Sequence, residues 1–255
     1  MRRASFRFYA ELADFLPPAR RGVAFAHEFR GSPSVKDVVE SLGVPHAEID
    51  LLLADGEPVD FGWRMRDGAR VSVYPVFESL DIGPLTRVRP APLRRTRFLL
   101  DGHLGRLARY LRMAGLDALW RADWGDEELA RLAAEEQRIL LTRDRGLLMR
   151  RAVTHGHWMR ETDPRRQLAE VLRRFDLSRS VEPFRRCLRC NDPLVPVAKP
   201  AVAGRLPPRV AERHDEYRLC PACGRVYWRG THCDRMERLV AEAVALAAEP
   251  PPRAP

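Results

Sequence analysis

Residues 97–112 read RFLLDGHLGRLARYLR. A short apolar run, Phe98-Leu99-Leu100, ends on a carboxylate, Asp101. Leu104, Leu107, Ala108 and Leu111 follow at the i, i+3, i+4, i+7 spacing of one buried helix face. A strand that passes through an acid directly into an amphipathic helix is the unit from which parallel α/β sheets are assembled. Arg106, Arg109 and Arg112 recur every three residues and form a basic stripe beside the apolar face. An acid at the carboxyl end of a strand, next to a basic helix, suits an enzyme that uses a metal ion on phosphate. Taken alone, Asp101 serves as well as a helix cap.

The alternation continues downstream. Residues 118–122 read as a strand, and 126–137 as a helix with Leu129, Leu132 and Ala133 along one side. An apolar strand over 138–141 ends in Thr142-Arg143-Asp144. A short helix over 147–152, a strand over 157–161 and a helix over 164–175 complete the pattern. Short connections between β and α units imply right-handed crossovers and a parallel sheet. Sites in such sheets form beyond the carboxyl ends of the strands. Asp101, Asp126, Asp144 and Asp163 fall there, with Asp123, Glu127 and Glu128 near the second. Each also stands at a helix start, and Asp163-Pro164 is a ready N-cap and N1 pair. As a set, converging carboxylates repel unless cations neutralise them, and Mg²⁺ or Mn²⁺ take oxygen ligands. Two such ions about 4 Å apart would activate a water and stabilise the leaving oxygen of a phosphodiester.

The length of 255 residues suggests two domains, or two with an appendage, and 45% hydrophobic content supplies real cores. No run approaches about 18 uncharged apolar residues. The N-terminus, MRRASFRFYAELADF, has no apolar h-region, so a cytoplasmic location is expected. The net charge of +9 is unevenly placed: residues 1–80 hold 10 basic and 12 acidic side chains, the remainder 34 and 23. Of the 44 basic residues 42 are arginine, which grips phosphate bidentately and stacks on bases. A GC-rich genome explains the arginine preference but not the asymmetry, so a nucleic acid is the expected partner of the second part.

Residues 1–80 read as a small α+β unit. Strands are expected over 4–10, 23–29, 51–54 and 71–76, with turns at Pro17-Pro18, Asp55-Gly56 and Asp67-Gly68. Ser34 caps a helix whose face is Val35, Val38, Val39 and Leu42, and Gly43 ends it. This order resembles the ubiquitin-like grasp of small sulfur carriers such as ThiS and MoaD. Those carriers act through a free C-terminal Gly-Gly, whereas this chain continues through Tyr74-Pro75-Val76-Phe77-Glu78, so sulfur transfer is not expected. The next stretch, DIGPLTRVRPAPLRRT over 81–96, has linker composition.

Cys187-Leu-Arg-Cys190 and Cys220-Pro-Ala-Cys223 are two C-x-x-C knuckles separated by 29 residues, and read as one tetrahedral four-cysteine Zn²⁺ site. With every position filled by protein, that zinc is structural. The segment between the knuckles holds five prolines and is expected to be an extended loop. Arg185, Arg186, Arg189, Arg225 and Arg229 surround the knuckles, and Tyr227 and Trp228 serve either to stack bases or to pack the zinc loops. Cys233 is the odd thiol and is expected to be free. Residues 236–248 continue as a helix, followed by a disordered tail over 250–255.

The segments FLLDGHLGRLARYLRMAG, DEEL followed by AAEEQRILLTRDRGLL, QLAEVLRRF, FRRCLRCN and CPACGRVYWRGTH together resemble the Mut7-C RNase domain, a PIN-like fold with an attached zinc ribbon. A ubiquitin-like unit ahead of such a domain is a known arrangement. The resemblance implies Asp101, Asp126 and Asp144 as the Mg²⁺ or Mn²⁺ positions and Asp163 as a fourth catalytic acid, with Glu128 competing for the place of Asp126. Arg106, Arg109, Arg143 and Arg145 are then candidates for contact with RNA phosphates, and His103 a surface or supporting residue. The expected organisation is a β-grasp domain over 1–80, a linker over 81–96, a nuclease over 97–180, a zinc ribbon over 181–236, and a helix with tail over 237–255. The expected function is a metal-dependent ribonuclease. The alternative is a non-catalytic RNA- or ribosome-binding protein whose acids only cap helices. Residues 1–80 would recruit a protein partner and be dispensable for cleavage.

Overall fold

The computed structural model describes residues 1–76, 82, 85–88 and 95–249. The expected linker falls largely outside the described residues, and the expected tail wholly so. Two compact units emerge: Met1–Thr96 with Gly125–Trp158, and Arg97–Trp124 with Met159–Pro251. The expected nuclease segment is thus shared between them.

The chain begins β1 (Arg2–Phe8), β2 (Phe25–Phe29), α1 (Val35–Ser41), β3 (Ile49–Ala54), β4 (Glu57–Pro58) and β5 (Arg70–Pro75). It continues β6 (Phe98–Leu100), α2 (Gly105–Met113), β7 (Ala118–Trp120), α3 (Asp126–Glu135), β8 (Ile139–Thr142), α4 (Arg145–Leu148), β9 (Gly156–Trp158) and α5 (Pro164–Arg174). The last part is β10 (Val195–Val197), α6 (Lys199–Val202), α7 (Pro208–Arg213), β11 (Tyr217–Leu219), β12 (Val226–Trp228) and α8 (Thr231–Ala248).

In the first unit, β1 to β5 form a sheet in the order β2-β1-β5-β3-β4, with β1 and β5 parallel and the other pairs antiparallel. Alternation along β1 sends Ala4, Phe6 and Phe8 into the core, where Val35, Val38 and Val39 of α1 meet them. Ser34 starts α1 with a capping box: its hydroxyl accepts the Asp37 N–H at 3.1 Å, and Asp37 accepts the Ser34 N–H at 3.1 Å. The Ser34 hydroxyl, which also donates to the Asp37 carboxylate at 2.6 Å, and the Ser34 N–H hold that carboxyl below its ordinary pKa. Asp55 and Gly56 take φ of 53° and 94°, the left-handed pair that a tight hairpin requires. This is the ubiquitin-like module expected from the sequence. Thr86 closes onto it, its hydroxyl donating to the Asp50 carbonyl. The same unit carries the β8-α4-β9 segment, with β8 and β9 parallel and Leu141 opposite His157.

In the second unit β6 and β7 are parallel, Phe98 opposite Ala118, and α2 crosses between them. Leu107, Ala108 and Leu111 are buried, as their spacing requires. Helix α5 buries Leu168, Val171 and Leu172, and Phe175 just beyond it meets the Phe98 ring edge-on at 5.3 Å. The ribbon is a three-stranded antiparallel sheet, β10-β11-β12. The parallel strand pairs with their helices, the cysteine-bearing ribbon and the N-terminal module together give the expected mixed α/β class. The segment between the knuckles departs from expectation. It contains β10, α6 and α7, because Pro200 and Pro208 sit in the first turns of the two helices, where a missing N–H costs nothing. Helix α8 begins five residues earlier than expected and takes up Cys233. Among the described residues no helix is long and apolar enough to cross a membrane.

Gly115 ends α2 at φ +85°, and a Cβ there would overlap the Glu182 carbonyl oxygen. Gly115→Ala is therefore expected to destabilise the chain by about 2–4 kcal/mol, since left-handed strain adds to a backbone clash. Gly125→Ser, in open space at the N-cap of α3, is expected to be neutral or stabilising by about 0.5 kcal/mol. Denaturant unfolding of the two variants measures the contrast.

Candidate metal centre and acidic strand ends

The four knuckle cysteines converge. Their sulfurs all lie within 4.8 Å of one another, with Cys187 to Cys223 at 3.5 Å and Cys190 to Cys220 at 3.3 Å. These separations are too long for disulfides, whose S–S bond is about 2.05 Å. They fit a tetrahedron around Zn²⁺, where Zn–S bonds of about 2.3 Å put sulfurs about 3.8 Å apart. Each knuckle closes with a left-handed residue directly after its second cysteine, Asn191 at φ 73° and Gly224 at φ 69°. The Asn191 N–H returns to the Cys187 carbonyl at 3.0 Å, and the Gly224 N–H to that of Cys220 at 2.9 Å. The donor set and spacing make the cluster able to hold a structural zinc.

The thiols differ in their surroundings. Burial opposes ionisation of Cys187, but the Tyr227 hydroxyl at 3.1 Å and nearby backbone N–H groups outweigh it and bring this thiol down to about 6. Burial pushes the Cys190 and Cys220 thiols up. The Tyr227 hydroxyl also accepts the Leu188 N–H at 3.2 Å, and Trp228 packs on the Tyr217 cluster, so both rings pack the ribbon. Cys233 is buried and outside the cluster, and burial with the nearby Glu237 pushes its thiol up to about 11.

The ribbon is fastened to β7 by groups that sequence reasoning assigned elsewhere or missed. Arg112, expected on the basic stripe beside the apolar face, is 4% exposed. Its guanidinium donates to the carbonyls of Ala118 at 2.9 Å, Leu188 at 3.2 Å and Arg189 at 2.9 Å. Three-residue spacing drifts around a helix, which carries Arg112 under the first knuckle while Arg106 and Arg109 stay exposed. Burial lowers the pKa of Arg112 from its ordinary value. Asn191 completes the seam: its Oδ1 accepts the Ala118 N–H at 2.9 Å and its Nδ2 donates to Asp117 at 2.8 Å. Arg186 pairs with the same Asp117 at 3.1 Å. An asparagine immediately after C-x-x-C was the signal available for this role.

The acids separate into two kinds. Asp144 and Asp163 cap helices. The Asp144 carboxylate accepts the Gly146 N–H at 2.7 Å, and that of Asp163 accepts the N–H groups of Arg165 and Arg166 at 3.0 and 3.1 Å. Asp101 occupies an N-cap position directly after β6 yet makes no side-chain cap bond. Asp126 lies in the first turn of α3, behind Gly125 at the cap, and meets Arg150 at 3.4 Å. Glu128 is held by Arg131 three residues on, and this pairing lowers its pKa. Asp123 pairs with Arg121. Asp101 and Asp163 belong to one unit, Asp126 and Asp144 to the other. Among the candidate arginines, Arg106, Arg109 and Arg143 are exposed, whereas Arg145 is half-buried, its guanidinium 4.3 Å over the Trp158 ring. His103 is exposed beside Asp101.

The family described as Mut7-C RNAse domain matches residues 96–240, and that described as Mut7-C ubiquitin matches residues 1–81. The small archaeal modifier protein 1 of H. volcanii is similar at 17% identity, covering 30% of this chain and 100% of its own, with a TM-score of 0.25. A second structure, SAMP1 from Haloferax volcanii, is similar at 17% identity over 31% of this chain and 99% of its own, also with a TM-score of 0.25. No curated protein matches the chain.

Protein purified without added metal is expected to carry about one zinc per chain. Cys187→Ser and Cys220→Ser should each abolish that content and lower the unfolding temperature. Elemental analysis combined with thermal denaturation tests the four-thiolate site, and full zinc retention in either variant would contradict it.

Proposed function

The chain belongs to the Mut7-C RNase family, and from that premise we propose that it is a metal-dependent ribonuclease hydrolysing RNA phosphodiester bonds. Asp101, Asp126 and Asp144 hold Mg²⁺ or Mn²⁺, with Asp163 as a fourth acid. Hard oxygen donors of this kind suit those ions rather than zinc. One observation supports the reading beyond the family match. Asp101 directly follows β6, at the carboxyl end of a parallel strand where the sites of such sheets form. A divalent cation at these carboxylates supplies charge against the phosphodiester and lowers the pKa of an attacking water. The chain's own part is to present the acids from the segments that follow its strands and open its helices. Arg106, Arg109, Arg143 and Arg145 bind the phosphates.

The remaining assignments follow from this. Residues 1–80 are the ubiquitin-like domain, 81–96 the linker, 97–180 the nuclease, 181–236 the zinc ribbon and 237–255 the closing helix and tail. Zinc in the ribbon is structural. Localisation in the cytoplasm, where thiols stay reduced for metal binding, belongs to the same reading. In this reading residues 1–80 also recruit a protein partner. The competing reading, RNA binding without turnover, draws on Asp144 and Asp163, whose carboxylates do cap helices.

Asparagine caps helices as well as aspartate does, so Asp144→Asn removes charge while keeping the cap. Asp101→Asn and Asp144→Asn are each expected to reduce Mg²⁺- or Mn²⁺-dependent cleavage of RNA by about 100-fold or more with unchanged circular dichroism. Wild-type rates in both variants would sink the catalytic assignment, and RNA binding without any cleavage by the wild type would favour the competing reading.

A further inference from the structure

Glu48 lies in the single turn His46–Glu48 that leads into β3, and none of its surface is exposed. A carboxylate in that position must be hydrogen-bonded, because burying it bare costs several kcal/mol. Its partners come from β9. The Trp158 backbone N–H donates to Glu48 Oε1, and Glu48 Oε2 is 3.4 Å from Nδ1 of His157, itself 2% exposed. The N-terminal module grips the Trp158 side chain as well. The Phe15 ring lies 5.3 Å from the indole, and the Arg145 guanidinium stands 4.3 Å over the indole and 5.0 Å over Phe15.

Trp158 in turn reaches the loop that follows β8. Its Nε1–H donates to the Arg143 carbonyl at 3.1 Å. Asp144 sits between the two gripped arginines, its own N–H donating to Thr142 Oγ1 at 2.9 Å and its carboxylate accepting the Gly146 N–H at 2.7 Å. All three residues of the loop are therefore fixed: Arg143 through its carbonyl, Asp144 through its two local bonds, and Arg145 through the aromatic pair.

We propose that the ubiquitin-like module is a built-in positioning element of the nuclease, with Glu48 and Phe15 as positioning residues that act through Trp158 on the Arg143–Asp144–Arg145 loop. This rests on the assignment of Asp144 to catalysis. It replaces the expectation that residues 1–80 are a dispensable adaptor: the face bearing Phe15 and Glu48 is occupied by the chain itself, and only other faces are open to a partner protein.

The test uses the full chain as wild type, Glu48→Ala, Glu48→Gln and Phe15→Leu. Amide exchange by mass spectrometry is compared between residues 142–158 and strands β1 and β5, alongside RNA cleavage kinetics. Glu48→Ala and Phe15→Leu are expected to speed exchange in 142–158 about tenfold, leave β1 and β5 as in wild type, and lower kcat about tenfold with little change in KM. Glu48→Gln keeps an acceptor for the Trp158 N–H and should restore both readouts to within about twofold of wild type. Wild-type exchange over 142–158 in both variants overturns the proposal, as does an equal rise in β1 and β5, which would make Glu48 only a core group of its own module. Faster exchange with unchanged kcat overturns it while leaving the nuclease assignment standing. A wild-type chain that cleaves no RNA overturns that assignment and the catalytic part of the proposal, and exchange then decides the docking separately.

Discussion

Four sulfurs within 4.8 Å of one another stay together only with protons on them or a cation among them. Much of the second unit depends on meeting that constraint. The knuckles are too short to have a core of their own, with Cys187, Leu194 and Cys220 as their only fully buried apolar groups among the described residues. Their shape comes from backbone turns closed by Asn191 and Gly224, and from the Tyr227 hydroxyl set against the Cys187 sulfur. A cluster filled by four protein ligands has no open position for substrate, so its contribution is to hold a surface in place.

Buried polar groups do the joining in this molecule. Arg112 spans from α2 to the carbonyls of the first knuckle, and Asn191 takes the Ala118 N–H as a neighbouring strand would. Glu48 performs a comparable task in the other unit, reaching the backbone of β9. Removing one partner from such a contact strands the other without water, so these seams tolerate loss poorly while adding little net stability over an apolar contact. What they add is register: a hydrogen-bonded carboxylate or guanidinium accepts one alignment of its partner, where an apolar face would accept several.

The acids show why residue type and position alone leave a role open. Aspartate at a helix start is favoured for capping and equally suited to a hard cation, and the chemistry of the side chain is the same in both. Asp144 and Asp163 make the cap bonds their positions invite, and Asp101 does not. A capping carboxylate still has a second oxygen, so the cap bond at Asp144 leaves an oxygen donor uncommitted to capping. The arginines divide in a similar way. Arg106 and Arg109 keep their charge at the surface, Arg145 spends its face on Trp158, and Arg112 is fully withdrawn.

The elements were legible from local pattern. The period of Leu107, Ala108 and Leu111, the capping box at Ser34, the hairpin at Asp55-Gly56 and the spacing of the two C-x-x-C knuckles each specify structure through neighbours only a few residues away. The helices between the knuckles were not, because prolines that read as loop signals sit where a helix start has no use for an N–H. The tertiary structure decided which polar side chains are used up. Arg112 and Arg109 look alike in sequence, and only the packing of a knuckle against one side of α2 separates them. Glu48 carries no local signal at all, since its partners lie 109 and 110 residues downstream at His157 and Trp158, and sequence proximity says nothing about which distant amide will end a buried carboxylate's search for a donor.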